Sequence, residues 1–304
     1  GRTSGLDVTY DDDLAPFRLM NLVGDIVGLV RAFGLRSVNA VVGHDFGASV
    51  AVWCAITRPD IFRSIAFMSA PWGGTAKLPF GTAAAGGSLP AVDPVHDDLA
   101  ALARPRKHYQ WYYSTRPAAG EMNEPPQGMQ AFLRAYYHHK SADWAGNKPF
   151  PLAAWSATEL ARMPTYSVMD LAETMPETVA HEMPSAAEIA ANEWLSEAEL
   201  AVYAGEYERT GFQASLNWYR CRTTGKYSGE LAVFDGRTID VPSLFVAGRS
   251  DWGIHQKAGE FEKMQSGALS DMRGCHLVDG AGHWVQQEQA DETSRLLLAF
   301  FRET

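Results

Sequence analysis

Cysteine is scarce in this chain. Only Cys54, Cys221 and Cys275 occur in 304 residues, and no C-x-x-C pair or Cys/His ligand spacing suggests a metal site. An odd, sparse set gives no disulfide framework, so reduced thiols in a cytoplasmic protein are the expectation, with no metal and no cofactor. Basic residues are outnumbered, 26 Lys and Arg against 36 Asp and Glu, for a net charge of −10. Phosphate binding needs a basic stripe, so nucleic acid is excluded as an expected partner. No apolar run approaches the roughly 20 residues of a membrane span, and no secretory leader is visible, so no membrane is expected either. What the chain does have is apolar content, 46% of its residues. That suffices for a large core in one domain, or in one domain plus an insertion.

The apolar residues fall into a recognisable order. Residues 1–13 are polar and turn-like. Residues 14–33 carry Leu19, Leu22, Val23, Ile26, Val27 and Val30 at helical spacing, and Gly34 follows as a stop. Residues 38–42 read as a short buried strand, 49–57 as a helix closed by Pro59, and 64–69 as a second strand. Strand, helix and strand in close succession predict a parallel sheet with crossover helices. Residues 71–94 are rich in Gly, Pro and Ala and read as a long loop. Residues 99–226 are dense in Tyr, Trp and Met, with helical segments around Tyr109 and over 132–138, 159–163, 187–194 and 197–222, and without strand signals. The first pattern then resumes, with strands over 242–247 and 275–278 and helices over 255–264 and 291–301. The expected fold class is α/β, a mostly parallel sheet with flanking helices built from residues 1–98 and 236–304. An all-helical insertion spans 99–235.

Three short stretches carry chemistry. Gly43-His44-Asp45-Phe46-Gly47-Ala48 ends a strand, turns sharply at an acid and opens a helix. This is the strand–turn–helix grammar of a nucleophile elbow, with aspartate at the apex. A carboxylate is ionised at neutral pH, needs no activating base, and attacks an sp³ carbon or a strained ring to give an ester. The Phe46 N–H at the helix start is placed as an oxyanion donor. The competing explanation is that Asp45 merely caps the helix. Further on, Ala247-Gly248-Arg249-Ser250-Asp251 puts an acid just past a strand. Val278-Asp279-Gly280-Ala281-Gly282-His283-Trp284 puts a histidine just past another. Nucleophile, acid and histidine in that order, each at the C-terminal end of a strand, predict a triad of Asp45, Asp251 and His283.

With these motifs the chain resembles the α/β-hydrolase superfamily and, within it, the epoxide hydrolases. The aspartate elbow matches, although Phe46 stands where tryptophan is usual, and so does Gly282-His283-Trp284 with Gln286. Most discriminating is Thr210-Gly211-Phe212-Gln213-Ala214-Ser215-Leu216-Asn217-Trp218-Tyr219-Arg220, which resembles the cap segment bearing a ring-opening tyrosine. The family's second cap tyrosine sits in a Tyr-Gln context, matched by His108-Tyr109-Gln110-Trp111, with Tyr112 and Tyr113 close by. The resemblance implies an enzyme that opens a small apolar epoxide with water to a vicinal diol. Asp45, Asp251, His283, Tyr109 and Tyr219 would be catalytic, and Phe46, Trp111, Tyr112 and Trp284 would contact substrate. The dense aromatic residues suggest an apolar cavity wall, and a homo-oligomer stays open. Two alternatives accompany this reading. One is a haloalkane or haloacid dehalogenase with the same nucleophile, kept alive by Trp111. The other is a non-catalytic ligand-binding protein on a hydrolase fold. The family has further strands before the elbow and a His-Gly-x-Pro loop giving a second oxyanion donor. Nothing of the kind precedes Val38, and Gly1-Arg2-Thr3-Ser4-Gly5 resembles the loop that follows those strands. The expectation is therefore a chain without that part, its elbow strand at a sheet edge and its turnover weak if the molecule starts at Gly1.

Overall fold

The computed structural model describes residues 7–75 and 93–304. The Gly1–Gly5 stretch and most of the glycine-rich 71–94 segment lie outside these. In chain order the framework is α1 (Leu19–Ala32), β1 (Val41–His44), α2 (Phe46–Thr57) and β2 (Ile65–Met68). The insertion contributes β3 (Arg106–His108), α3 (Tyr109–Tyr113), α4 (Met129–Lys140), β4 (Val168–Asp170), α5 (Glu197–Thr210), α6 (Gln213–Thr223) and several shorter helices. The framework then closes with β5 (Ser243–Gly248), β6 (Met272–Val278), α7 (Val285–Glu288) and α8 (Ala290–Glu303).

The main sheet has the order β1-β2-β5-β6, and every pair is parallel. Its two central strands are buried throughout. Their side chains alternate between two cores, as a period of two requires. Ile65, Phe67, Phe245 and Ala247 face α1 and α2 on one side. Ala66, Met68, Leu244 and Val246 face Leu296 and Phe300 of α8 on the other. Parallel register brings His44, Met68, Gly248 and Val278 to one end of the sheet. That end is where such sheets carry their sites. Among the described residues β1 is an edge strand, and Val42 on it is exposed.

The elements differ from the pattern in five places. Regular pairing of the first strand begins at Val41; Val38 makes only an isolated bridge to Phe62, and the Asn39 carbonyl accepts the Ser64 hydroxyl at 2.8 Å. The expected helix over 255–264 starts only after Gly259, at φ 75°, and the one over 197–222 is broken at Gly211, at φ 63°. The insertion is not wholly helical, since β3 and β4 pair antiparallel with Arg106 opposite Asp170. Three residues are too few for an alternating pattern to declare a strand. The helix Val95–Ala100 packs on β3 and runs across the 98/99 boundary.

The insertion has its own apolar cores. One gathers Phe132, Leu133, Met169, Met175, Leu195 and Leu200. A second gathers Leu99, Leu160, Met163 and Val168 around Trp252, which belongs to the loop after β5. The start of α5 shows why its helix begins where it does. Ser196 and Glu199 form a reciprocal capping box, each side chain accepting the other's backbone N–H.

Tight packing at the elbow depends on Gly43, where a Cβ would collide with the Gly47 carbonyl. Gly43→Ala is expected to lower unfolding stability by about 1–3 kcal/mol, measured by urea denaturation.

Candidate active site

Asp45 occupies a backbone conformation that a side chain rarely tolerates, φ 50° and ψ −115°. Such strain persists only where neighbours enforce it. Here the Asp45 N–H donates to the Met68 carbonyl at 3.0 Å, and the Asp45 carbonyl accepts the Ala48 N–H at 3.1 Å. The helix begins at once with Phe46, three residues earlier than the apolar pattern indicates. The Asp45 side chain makes no capping hydrogen bond, so the capping explanation does not hold. The adjacent Phe46 N–H lowers the pKa of this side chain instead. With 41% of its surface accessible, it faces a cavity rather than the core.

His283 lies between this carboxylate and Asp251, and both His283 and Asp251 are buried. Its Nδ1 is 3.2 and 3.4 Å from the two Asp251 oxygens, and its Nε2 is 3.4 Å from Asp45 Oδ1. A carboxylate only accepts, so Asp251 selects the tautomer with the proton on Nδ1 and leaves Nε2 free as a base. The Gly253 N–H donates to Asp251 at 2.7 Å. Burial pushes the Asp251 carboxyl up, but the charge and hydrogen bond of His283, with the Gly253 N–H, hold it below its ordinary value. For Asp45 too burial acts upward. The charges of His283 and Lys140 outweigh it and lower the carboxyl to about 2.

Three residues that the motifs did not single out shape this arrangement. Ser69 is fully buried at the end of β2 with φ 68°, and its hydroxyl donates to the His283 carbonyl at 3.2 Å. His44 Nε2 donates to the same carbonyl at 2.7 Å. Desolvation, reinforced by His283, pushes His44 down to about 4, so it is neutral at pH 7. Lys140 ends α4, its ammonium 5.2 Å from the ring centres of both Tyr136 and Trp284. A lysine closing an amphipathic helix reads as a solvated residue. Only the tertiary fold turns this one toward Asp45.

A cavity of about 730 Å³ opens over Asp45 and His283, with Tyr109, Tyr219, Lys140 and Trp284 in its walls. The rings of Tyr109 and Tyr219 are 6.0 Å apart, and Tyr113 packs edge-on against both, at 5.4 and 5.1 Å. Gln110 Nε2 donates to the Tyr109 oxygen at 3.0 Å. Desolvation and the Asp45 charge raise the Tyr109 phenol. Desolvation, with the charges of Tyr109 and Asp45, raises Tyr219 further. Both phenols are therefore protonated donors at neutral pH. Trp284 lines the cavity but commits its indole N–H to the Tyr137 carbonyl at 2.9 Å.

The structure does not bring Trp111 and Tyr112 to this cavity. Tyr109 and Tyr113 are four residues apart on α3 and share its inward face, whereas positions 111 and 112 point away. Trp111 packs on His96, with ring centres 3.5 Å apart, and the Tyr112 hydroxyl donates to Glu121 at 2.7 Å. Tyr113 takes the place assigned to Tyr112. Among the described residues no helix is long and apolar enough to cross a membrane, and no group of three or more His, Cys, Asp or Glu is placed to hold a metal.

Comparison with known proteins agrees with this geometry. A family profile described as alpha/beta hydrolase fold matches residues 8–290. Epoxide hydrolase B of Mycobacterium tuberculosis is 29% identical over 286 residues, covering 93% of this chain and 77% of the relative. An epoxide hydrolase of Caballeronia sordidicola is 27% identical over 302 residues, covering 95% and 74%. Among solved structures, an epoxide hydrolase from an endophytic Streptomyces superposes with a TM-score of 0.73 at 24% identity, covering 99% of this chain and 77% of the other. Epoxide hydrolase I of potato (Solanum tuberosum) gives 0.69 at 23%, covering 99% and 80%. The chain thus belongs to the α/β-hydrolase fold family and is similar to its epoxide hydrolases.

Proposed function

We propose that this protein opens a small apolar epoxide to a vicinal diol through a covalent ester on Asp45. The observation that carries the proposal is the convergence of an ionised carboxylate, a base and two phenols on one cavity. The names of the relatives support the same activity. Asp45 attacks a ring carbon, the C–O bond breaks, and Tyr219 or Tyr109 gives its proton to the departing oxygen. An alkoxide is a poor leaving group until hydrogen-bonded or protonated, so donors aimed at it stabilise the transition state more than the ground state. His283 Nε2 then takes a proton from water while Asp251 steadies the imidazolium that forms. The resulting hydroxide attacks the ester carbonyl, and the oxyanion rests on the Phe46 N–H. Collapse releases the diol and regenerates Asp45. The imidazolium proton returns to the tyrosinate, which closes the balance. Residues 99–235 act as the lid that supplies both phenols.

The dehalogenase alternative rested on Trp111 as a halide donor, and that indole packs on His96 instead. Trp218 lines the cavity edge-on to Phe46. An assay of diol formation from styrene oxide beside halide release from haloalkanes separates the two chemistries; halide release without diol would overturn the epoxide reading.

His283→Gln is expected to keep ring opening and lose ester hydrolysis. Intact mass after incubation with styrene oxide should show one substrate mass added, located on Asp45 by peptide mapping. Tyr219→Phe should lower the ring-opening rate roughly 10²–10³-fold. The Asp45 carboxyl should titrate near pH 2 by carbon NMR. Its folded pKa lies below the ordinary value of about 4. Its contribution to stability is therefore complete above that value and is lost as pH falls toward 2.

A further inference from the structure

One carboxylate outside the mechanism above grips the backbone on both sides of His283. Glu288 ends α7. Its Oε2 accepts the Gly282 N–H at 2.9 Å, and its Oε1 accepts the Trp284 N–H at 2.9 Å. Oε2 also accepts the N–H of Ala142, at 2.7 Å, from the segment that follows α4 in the insertion. The His283 N–H itself donates to the Lys140 carbonyl at 2.9 Å. Four hydrogen bonds thus bind the histidine loop to Glu288 and to the insertion. The two backbones are in direct contact, since a Cβ on Gly282 would collide with Lys140 and Ser141.

Among the described residues no hydrogen-bonded cation balances the Glu288 charge. The titratable groups around it are Asp143 and Tyr166 of the insertion, His139 packed on Tyr166, and Lys140 and His283 at the far end of the clasp. Desolvation dominates, the Asp143 charge adds to it, and the carboxyl rises to about 7 despite its three donors. The folded pKa is above the ordinary value of about 4.3. Ionising this group therefore takes stability away as pH rises from about 4 to about 7. The ionised state that satisfies all three N–H groups is the state that stabilises the fold least. Such a group is retained for what it positions.

We propose that Glu288 is a positioning residue whose carboxylate holds the His283 imidazole in line with Asp45 and ties that setting to closure of the insertion. This rests on the reading of His283 as the base of ester hydrolysis. Protonation turns one carboxyl oxygen into a donor facing an N–H, so the clasp slackens as pH falls through 7. Glutamine has the same defect at every pH. Its Oε1 serves one side of the clasp, and its NH₂ meets an N–H on the other.

The test compares wild type, Glu288→Gln and Glu288→Asp with styrene oxide by rapid quench and mass spectrometry between pH 5.5 and 9. In Glu288→Gln, ester hydrolysis should slow roughly 10²-fold, the scale of a small misplacement of a reacting group. Ring opening should stay within about 3-fold and the ester should accumulate. Glu288→Asp should recover part of the loss. Below pH 7 the wild-type hydrolysis rate should fall more steeply with pH than that of Glu288→Gln. A variant that slows both steps equally, or keeps the wild-type profile, overturns the proposal. A second measurement needs no substrate. Hydrogen-exchange protection of the Ala142, Gly282 and Trp284 amides, corrected for intrinsic rates, should drop between pH 8 and pH 6 in wild type but not in Glu288→Gln. Constant protection overturns the clasp. Changing protection without diol from styrene oxide overturns the epoxide reading alone.

Discussion

Two carboxylates share one buried imidazole, and the electrostatics of the whole site follow from that sharing. Burial alone pushes the carboxyl pKa of both Asp45 and Asp251 upward. His283 reverses both tendencies at once. It does so because its carbonyl is held by His44 and Ser69 while its ring lies between the acids. The parallel sheet makes this geometry available. Four strands end together, and the residues that follow β1, β2, β5 and β6 meet over their ends. Unfavourable backbone angles at Asp45 and Ser69 are part of the same construction, since the turns there are set by packing and not by local preference.

The insertion supplies groups of the opposite kind to the cavity, two phenols that stay protonated. Desolvation raises the phenols of Tyr109 and Tyr219 by the same physics that threatens the two acids. A single low-dielectric cavity therefore keeps its tyrosines neutral, while its aspartates are held down by the groups beside them. For Asp45 these are His283 and Lys140, one from each part of the chain.

The parts of the site legible in the sequence are those whose chemistry and local context coincide. Asp45, Asp251 and His283 each follow an apolar strand by a glycine-bearing turn, so residue type and position speak together. Tyr219 was legible only through its extended segment. Trp111 and Tyr112 misled because the phase of the five-residue helix α3 cannot be read from composition, and one step along it turns a side chain by about 100°. Ser69, Lys140 and Glu288 carry no local sign, as each acts by meeting a loop far away in sequence. The fold shows the same division. Buried strands of the main sheet were visible to within a few residues, whereas the β3–β4 pair was too short for any period to show.

Trp252 sits directly after Asp251, yet its indole is embedded among Leu99, Leu160 and Val168. The insertion is thereby pinned to the acid loop on one side of the site, just as it is joined to the histidine loop on the other. A roof fastened at both walls cannot shift at one without loading the other. The cavity is lined from both parts of the chain, by Pro16 and Phe17 as well as by Trp218 and Tyr219. Any displacement of the insertion is therefore felt at the acid loop, the histidine loop and the cavity wall together.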